Sequence, residues 1–357
     1  MADIIVSLRR NKSPLGVMLS ETYTAGRLGE VMSAILGGGD TTTRYIKEGH
    51  QYTGDNPARL WRAATVDDDY RTISWGIHQF HEHWHAIQAR LTGPYHYISI
   101  GPGTGEKDQT ILQHLQQEAG KQTIVYVPVD ISRALLRIGV DVALRGVNRD
   151  RVEVLPVELD ITNPGAVGAL RLVLQRLSQD ANLLISLLGN TLANFRDDRQ
   201  MLKNISQLLG SERDLLFLEL ATTKDATRSL AAQAAREYDN SKSFKGFCMA
   251  SLAEYTDLTE RKGNVECVGE LGATDVLRIT TRFRAHKKTR VRVQTGEDFT
   301  LDANEAIDLL LSRKYTQTAI DGLLDGLRQV EAETANFEDG FGIAMYLMGK
   351  RLGRQRK

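Results

Sequence analysis

The run Tyr97-Ile98-Ser99-Ile100-Gly101-Pro102-Gly103-Thr104-Gly105-Glu106-Lys107 passes from a short apolar strand through a glycine-rich turn into a helix. It is followed by Tyr126-Val127-Pro128-Val129-Asp130, a second strand with a carboxylate at its carboxyl end. Together they predict a nucleoside cofactor site. Gly101, Gly103 and Gly105 remove the side chains that would hold a ligand off the backbone, and the helix directs its free N–H groups at the same place. An acid about 20–30 residues further on, at the end of the neighbouring strand, can take both ribose hydroxyls. NAD, FAD and S-adenosylmethionine sites share this geometry, so the loop has to be read for what it lacks. A pyrophosphate fingerprint is Gly-x-Gly-x-x-Gly, whereas this loop reads Gly-Pro-Gly-Thr-Gly-Glu. S-adenosylmethionine carries no phosphate, and Glu106-Lys107 suits its zwitterionic methionine end, so it is the expected cofactor.

From residue 97 onward strands and helices alternate. Apolar runs at 97–100, 123–129, 152–157, 183–188 and 215–220 are short and continuous, as buried parallel strands are. Helical patterns at 108–117, 132–144, 164–177 and 197–209 separate them, with Pro164 at a first helical turn. The expected fold is therefore α/β, a doubly wound and mostly parallel sheet with ligands at the strands' carboxyl ends. Residues 224–260 then read as helical, 275–284 and 289–300 as antiparallel strands, 304–312 and 316–324 as helices, and 341–348 as an apolar strand that rejoins the sheet. The predicted division places a cofactor domain at 70–222 and 302–350, a second α+β substrate lobe at 1–69 and 223–301, and a basic tail at 351–357. An amphipathic helix is expected near 70–91; the triplet Gly37-Gly38-Gly39 lies upstream of it.

At 357 residues and 41% hydrophobic content the chain can bury one large core or two ordinary ones. Lys plus Arg and Asp plus Glu both number 45, which leaves no overall footprint for nucleic acid or an anionic membrane. The segment Met1 to Arg10 places its basic residues after its apolar ones, unlike a signal peptide, and no apolar run approaches membrane-spanning length. Cys248 and Cys267, the only two cysteines, have neither the number nor the spacing of a disulfide framework or zinc site. The cytoplasm is the expected compartment and a small molecule the expected partner; oligomeric state is left open. His81-Glu82-His83-Trp84-His85 spells H-E-x-x-H, but no third ligand follows at the usual offset, so a histidine-rich helix face without metal is expected.

The fourth strand ends in Leu188-Gly189-Asn190-Thr191-Leu192-Ala193-Asn194, at the crevice where a methyl donor and its acceptor would meet. With Gly105-Glu106-Lys107, the Tyr126 to Asp130 segment, Arg236-Glu237-Tyr238-Asp239-Asn240 and Gly340-Phe341-Gly342-Ile343, these residues fall in order over about 250 positions. In that order the chain resembles the histidine Nα-methyltransferase family of the ergothioneine pathway, which has relatives acting on tryptophan-like amines. The resemblance implies a seven-stranded class I methyltransferase sheet and a place in secondary metabolism. It also implies cofactor contacts from Gly101, Gly103, Gly105, Lys107, Asp130, Asp160 and Gly189, with Asp130 on the ribose and Asp160 facing the adenine amine. Asn194 and Tyr238 would hold the α-amino and carboxylate ends of the acceptor and act in catalysis, with Asn190, Ser312 and Tyr45 also at the substrate.

Where the family reads Thr-Glu-x-Ser-x-Lys-Phe to grip the imidazole, this chain has Leu309-Leu310-Leu311-Ser312-Arg313-Lys314-Tyr315. Leu310 cannot accept an imidazole N–H, and an unpaired polar edge in a closed pocket costs roughly 1–3 kcal/mol. Arg44-Tyr45-Ile46-Lys47-Glu48-Gly49 only faintly echoes the family's tyrosine-rich substrate segment, with Tyr45 or Tyr52 as lid contributors. The expectation is N-methylation of an amino-acid-like molecule other than histidine. Histidine itself, a peptide terminus, and a cofactor-binding protein without turnover are the competing readings.

Overall fold

The computed structural model describes residues 19–20, 25–37, 43–179 and 181–351. The segment Met1 to Arg10, Gly38, Gly39 and the tail from Leu352 lie outside the described residues. In chain order the first part holds β1 (Leu19–Ser20), α1 (Ala25–Leu36), β2 (Arg44–Tyr45), α2 (Asp55–Ala64) and α3 (Arg71–Gln88). Regular alternation follows with β3 (Tyr95–Ile100), α4 (Glu106–Glu118), β4 (Ile124–Asp130), α5 (Arg133–Ala143), β5 (Val152–Val154), β6 (Val157–Glu158), α6 (Pro164–Leu177), β7 (Asn182–Leu187), α7 (Asp198–Ser206) and β8 (Leu215–Thr223). Beyond it come α8 (Arg228–Asn240), α9 (Lys242–Ala253), β9 (Gly263–Leu271), β10 (Val276–Ala285), β11 (Thr289–Arg292), β12 (Asp298–Leu301) and β13 (Ala306–Tyr315). The chain returns through α10 (Gln317–Leu324), β14 (Leu327–Asn336) and β15 (Phe341–Lys350).

The central sheet runs β5/β6, β4, β3, β7, β8, β15, β14, with β5 and β6 forming one interrupted position on β4 and the two-residue β1 pairing parallel with β6 outside it. Those seven positions are parallel except for β15, which is antiparallel to both neighbours. Every residue of β3 and β8 is buried, as continuous apolar strands covered by helices on both faces require. One face is packed by α6, α7 and α10, the other by α3, α4 and α5. The helices start at clear signals: Ser132, Asn163, Asp197, Thr227, Ser241 and Thr316 each accept a backbone N–H of the first turn with their side chain. Asn163 is followed by Pro164, whose missing N–H costs nothing at that position.

An antiparallel extension, β9–β10–β13, is covered by α8 and α9 and joined by α1 and α2. It adjoins the central sheet where Tyr315 of β13 pairs with Thr222 of β8. Residues 304–312, expected as a helix, instead supply most of β13. The run Leu309-Leu310-Leu311 has no periodicity that separates helix from strand, and pairing from Val276↔Tyr315 to Arg284↔Ala306, with one register shift between Thr281 and Arg282, decides the matter. Neither β9 nor β14 has a counterpart in the sequence reading. The residues of β14, Leu-Arg-Gln-Val-Glu-Ala-Glu-Thr-Ala-Asn, have helix-forming composition, and pairing with β15 overrides it. Among the described residues no helix is long and apolar enough to cross a membrane.

Candidate active site

The glycine-rich turn leaves β3 with Gly101, Gly103 and Gly105 at φ of 70°, 56° and 89°, all in the region that other residues adopt only with strain. Gly105 is needed twice over, because a Cβ there would lie 2.2 Å from the carbonyl oxygen of Gly139 on α5. Gly105→Ala is expected to cost more than the roughly 1–2 kcal/mol of left-handed strain alone, and to weaken cofactor binding as α5 is pushed away. A denaturant titration with and without cofactor reads both effects; an unchanged midpoint would show that the two helices are not held together here.

A cavity with about 770 Å³ of empty space, part of it open to solvent, lies at the carboxyl ends of β3, β4 and β7. Gly101, Gly103, Asp130, Asp160, Gly189 and Asn194 line it together, roofed by Gly49, Gln51, Tyr52 and Trp61 from the N-terminal part. An adjoining recess of about 540 Å³ shares Trp61, Gly101, Gly103, Gly189 and Thr191 with it and reaches Gly105 and Lys107. The two carboxylates differ in kind. Asp130 receives the N–H of Ser132 at 2.8 Å and has no cation within ion-pair distance among the described residues, so burial pushes its carboxyl up to about 7. This is the state expected of a buried acceptor waiting for hydroxyl donors. At Asp160 burial also acts upward, but hydrogen bonds from His50 and Thr162 and the charge of Lys47 prevail and hold it far below the usual range. Lys47 lies 3.4 Å and His50 3.9 Å from its carboxylate, so the N-terminal segment is tied down across the cavity. Lys107 lines the second recess, but its ammonium is held by both carboxylate oxygens of Glu219.

The residues expected at the acceptor are not all brought to one surface. Asn194 lines the large cavity and also a narrow recess between the 194–196 segment and β10–β13, with about 310 Å³ of empty space that includes open solvent; its amide nitrogen is 3.4 Å from the Tyr52 hydroxyl. Leu310, only 6% exposed, is on the wall of that smaller recess. Asn190 is spent on structure: in the left-handed region at φ 61°, it donates to Ser312 and to the Arg313 carbonyl and accepts from the Ala221 N–H. Tyr238 is fully buried, with its hydroxyl 2.9 Å from Ser312 Oγ and its pKa raised by burial, and lines none of these spaces. Tyr45 lies beneath the Arg196 guanidinium, 3.9 Å from its ring centroid, and Arg196 pairs with Glu48. Gln51, Trp61 and Thr191 were not singled out by sequence; Gln51 and Trp61 reach the cavity only through the tertiary placement of the N-terminal part. On α3, His81 and His85 are exposed, His83 contacts Glu333 at 3.1 Å, and Glu82 faces His78. Among the described residues no group of three or more histidine, cysteine or carboxylate side chains is placed to hold a metal ion.

A family described as histidine-specific, S-adenosylmethionine-dependent methyltransferases has a sequence model that matches residues 52–340. Among solved structures the chain is similar to an S-adenosylmethionine-dependent methyltransferase from Anabaena variabilis, at 11% identity and TM-score 0.40, covering 87% of this chain and 100% of that one. Magnesium protoporphyrin IX methyltransferase from Synechocystis, solved with bound S-adenosylhomocysteine, matches at 10% identity and TM-score 0.41, over 85% of this chain and 98% of that one. The CcbJ methyltransferase from Streptomyces caelestis matches at 13% identity and TM-score 0.36, over 74% and 93%. No curated protein sequence matches the chain.

Proposed function

The chain belongs to the family of histidine-specific, S-adenosylmethionine-dependent methyltransferases, and from that premise we propose that it methylates the amino group of an amino-acid-like small molecule other than histidine. When bound, S-adenosylmethionine supplies an electrophilic methyl group on a sulfonium. Gly101, Gly103, Gly105 and Gly189 allow the backbone to approach it closely, Asp130 accepts from the ribose, Asp160 faces the adenine, and Lys107 braces the loop through Glu219. In this division 70–222 with 302–350 hold the cofactor and 1–69 with 223–301 hold the acceptor, β13 being the strand that both use.

The observation that carries the reading is the meeting of the cofactor cavity with the smaller recess at Asn194, with Leu310 on the wall of the latter. Asn194, beside the Tyr52 hydroxyl, orients the acceptor amine towards the cofactor. Holding the acceptor in line accounts for most of the acceleration, since no covalent intermediate with the protein is required. Tyr238 and Ser312 act one layer behind, positioning Asn190 and the end of β7. Leu310 stands where the family's imidazole-binding glutamate would be, and the two carboxylates that line the recess, Glu48 and Asp308, are paired with Arg196 and Arg282.

Labelled-methyl transfer to each of the twenty amino acids tests this. The wild type is expected to methylate histidine poorly and to prefer apolar or aromatic side chains. Leu310→Glu is expected to raise the relative rate with histidine by about tenfold, the low end of a charge-assisted hydrogen bond, because burying the new carboxylate offsets part of the gain. Strong turnover of histidine by the wild type would overturn the exclusion of histidine.

A further inference from the structure

A separate cavity, with about 760 Å³ of empty space that is partly open to solvent, shares no lining residue with the cofactor cavity. Its walls come from the start of α7, the turn between β9 and β10, the end of β13, and α10. Arg196, Arg199, Arg278 and Arg313 all line it, against one carboxylate among the described residues, that of Asp198. The balance of charge on its walls is therefore strongly positive.

Most of these groups are already engaged. Asp198 accepts from the Tyr315 hydroxyl at 2.8 Å and lies 3.6 Å from Arg313 Nε. Arg313 donates onward to the carbonyls of Ala193, Phe195 and Arg196. Arg196 stacks on Tyr45 and pairs with Glu48 at 2.9 Å. Two guanidinium groups remain. Arg199 is exposed and uses Nη1 alone, on the Gly322 carbonyl at 3.2 Å. Arg278 is half-buried, makes no ion pair among the described residues, and keeps its Nε buried without a hydrogen-bond partner. The acids nearest in the fold do not answer it. Asp197 caps α7 through the Gln200 N–H, Asp321 accepts from the Gln317 amide, and Asp308 pairs with Arg282. Glu270, opposite Arg278 across β9 and β10, is exposed and forms no ion pair with it, and Asp275 is exposed on the turn.

We propose that this cavity binds a phosphate-bearing anion, held by Arg199 and Arg278. A single guanidinium fork fills a planar carboxylate, whereas a tetrahedral dianion has oxygens for two guanidinium groups that arrive from different elements. Arg199 comes from a helix and Arg278 from a strand. Val276, Ala319 and Leu323 also line the cavity, so the organic part of a phosphate ester would meet apolar surface beside the two charges. The inference is independent of the acceptor's identity, because the site lies outside the cofactor cavity.

The test uses the full-length chain saturated with S-adenosylhomocysteine, titrated calorimetrically at constant ionic strength with inorganic phosphate, inorganic pyrophosphate and adenosine 5′-diphosphate. One saturable site per chain is expected, with pyrophosphate binding more tightly than phosphate. Arg278→Met and Arg199→Met should each weaken pyrophosphate by about ten- to a hundredfold, the range of a charge-assisted hydrogen bond. Arg278→Lys should keep part of the affinity, and S-adenosylhomocysteine binding should be unchanged in all three variants. Arg171→Met, at an exposed position on α6, removes the same charge elsewhere and should leave pyrophosphate binding as it is. If Arg278→Met does not fold, the exposed Arg199→Met decides the question. Tighter binding of the nucleotide than of pyrophosphate assigns an organic phosphate, and equal binding assigns the free anion; either result supports the site. No saturable binding, a loss in Arg171→Met as large as in Arg199→Met, or binding that appears only when S-adenosylhomocysteine is left out would overturn the proposal.

Discussion

Lys314→Met is expected to destabilise the folded protein by about 3–5 kcal/mol, the usual effect of removing one partner of a buried ion pair. Lys314 Nζ lies 3.0 Å from Glu237 Oε2, both side chains are 3% exposed, and Lys314 also donates to Thr72 Oγ1 at 2.8 Å. Glu237 accepts from the backbone N–H and hydroxyl of Thr72. One cluster thus joins α3, α8 and the strand β13 between them. Burial acts to lower the Lys314 pKa, but Glu237 prevails and raises it, so the pair's contribution is complete below the ordinary lysine range and disappears as pH rises through the folded value. Taking Lys314 away leaves the Glu237 carboxyl without its cation in an apolar interior; adding Glu237→Gln should recover much of the loss, since the Thr72 donors still have an oxygen to meet. Urea unfolding of the two variants is the measurement. A loss under about 1 kcal/mol for Lys314→Met would show that water reaches the pair.

The alternating core of the fold was legible because each of its signals is local. The strands β3, β4, β7 and β8 are continuous apolar runs, and capping side chains such as Ser132 and Asn163 mark where helices begin. Two later strands carried no such signal. β13 holds three consecutive leucines, and β14 is composed like a helix, so each takes its conformation from the neighbour it pairs with. The site divides in the same way. Gly101, Gly103, Asp130, Gly189 and Asn194 belong to strand ends, where sequence position and cavity position coincide. Tyr238 and Asn190 sit close to the expected place in the chain but face Ser312 and β8 rather than open space, a difference of side-chain direction that a motif does not encode. Gln51 and Arg278 are far apart in the chain and line one recess only because β2 pairs alongside β13 and brings the roof segment with it.

In the proposed reading Asp130 holds the ribose, and its titration should therefore couple to cofactor binding. Burial holds the carboxyl of the free protein at about 7, so near pH 6 it is mostly protonated and near pH 8 mostly ionised. Ribose hydroxyls donate to the ionised form, which lowers its pKa in the complex. Binding must then release a proton below pH 7, and affinity should rise with pH up to about 7 and level off above it. The free protein behaves in the opposite sense. Because the folded pKa exceeds the ordinary value of 3.8, the native state binds more protons than the unfolded chain in between, and stability falls as pH rises from about 4 to 7. Bound cofactor should flatten that decline. Asp130→Ala is expected to weaken S-adenosylmethionine binding by about 1.5–3 kcal/mol, the range for hydrogen bonds to a charged group. Asp130→Asn should remove the pH dependence while keeping one acceptor oxygen. Calorimetry at pH 6 in two buffers of different ionisation enthalpy reads the proton directly. An unchanged affinity in Asp130→Ala, or no proton released by the wild type at pH 6, would place the ribose on another group and leave the raised carboxyl of Asp130 as a cost of burial that the cofactor does not relieve.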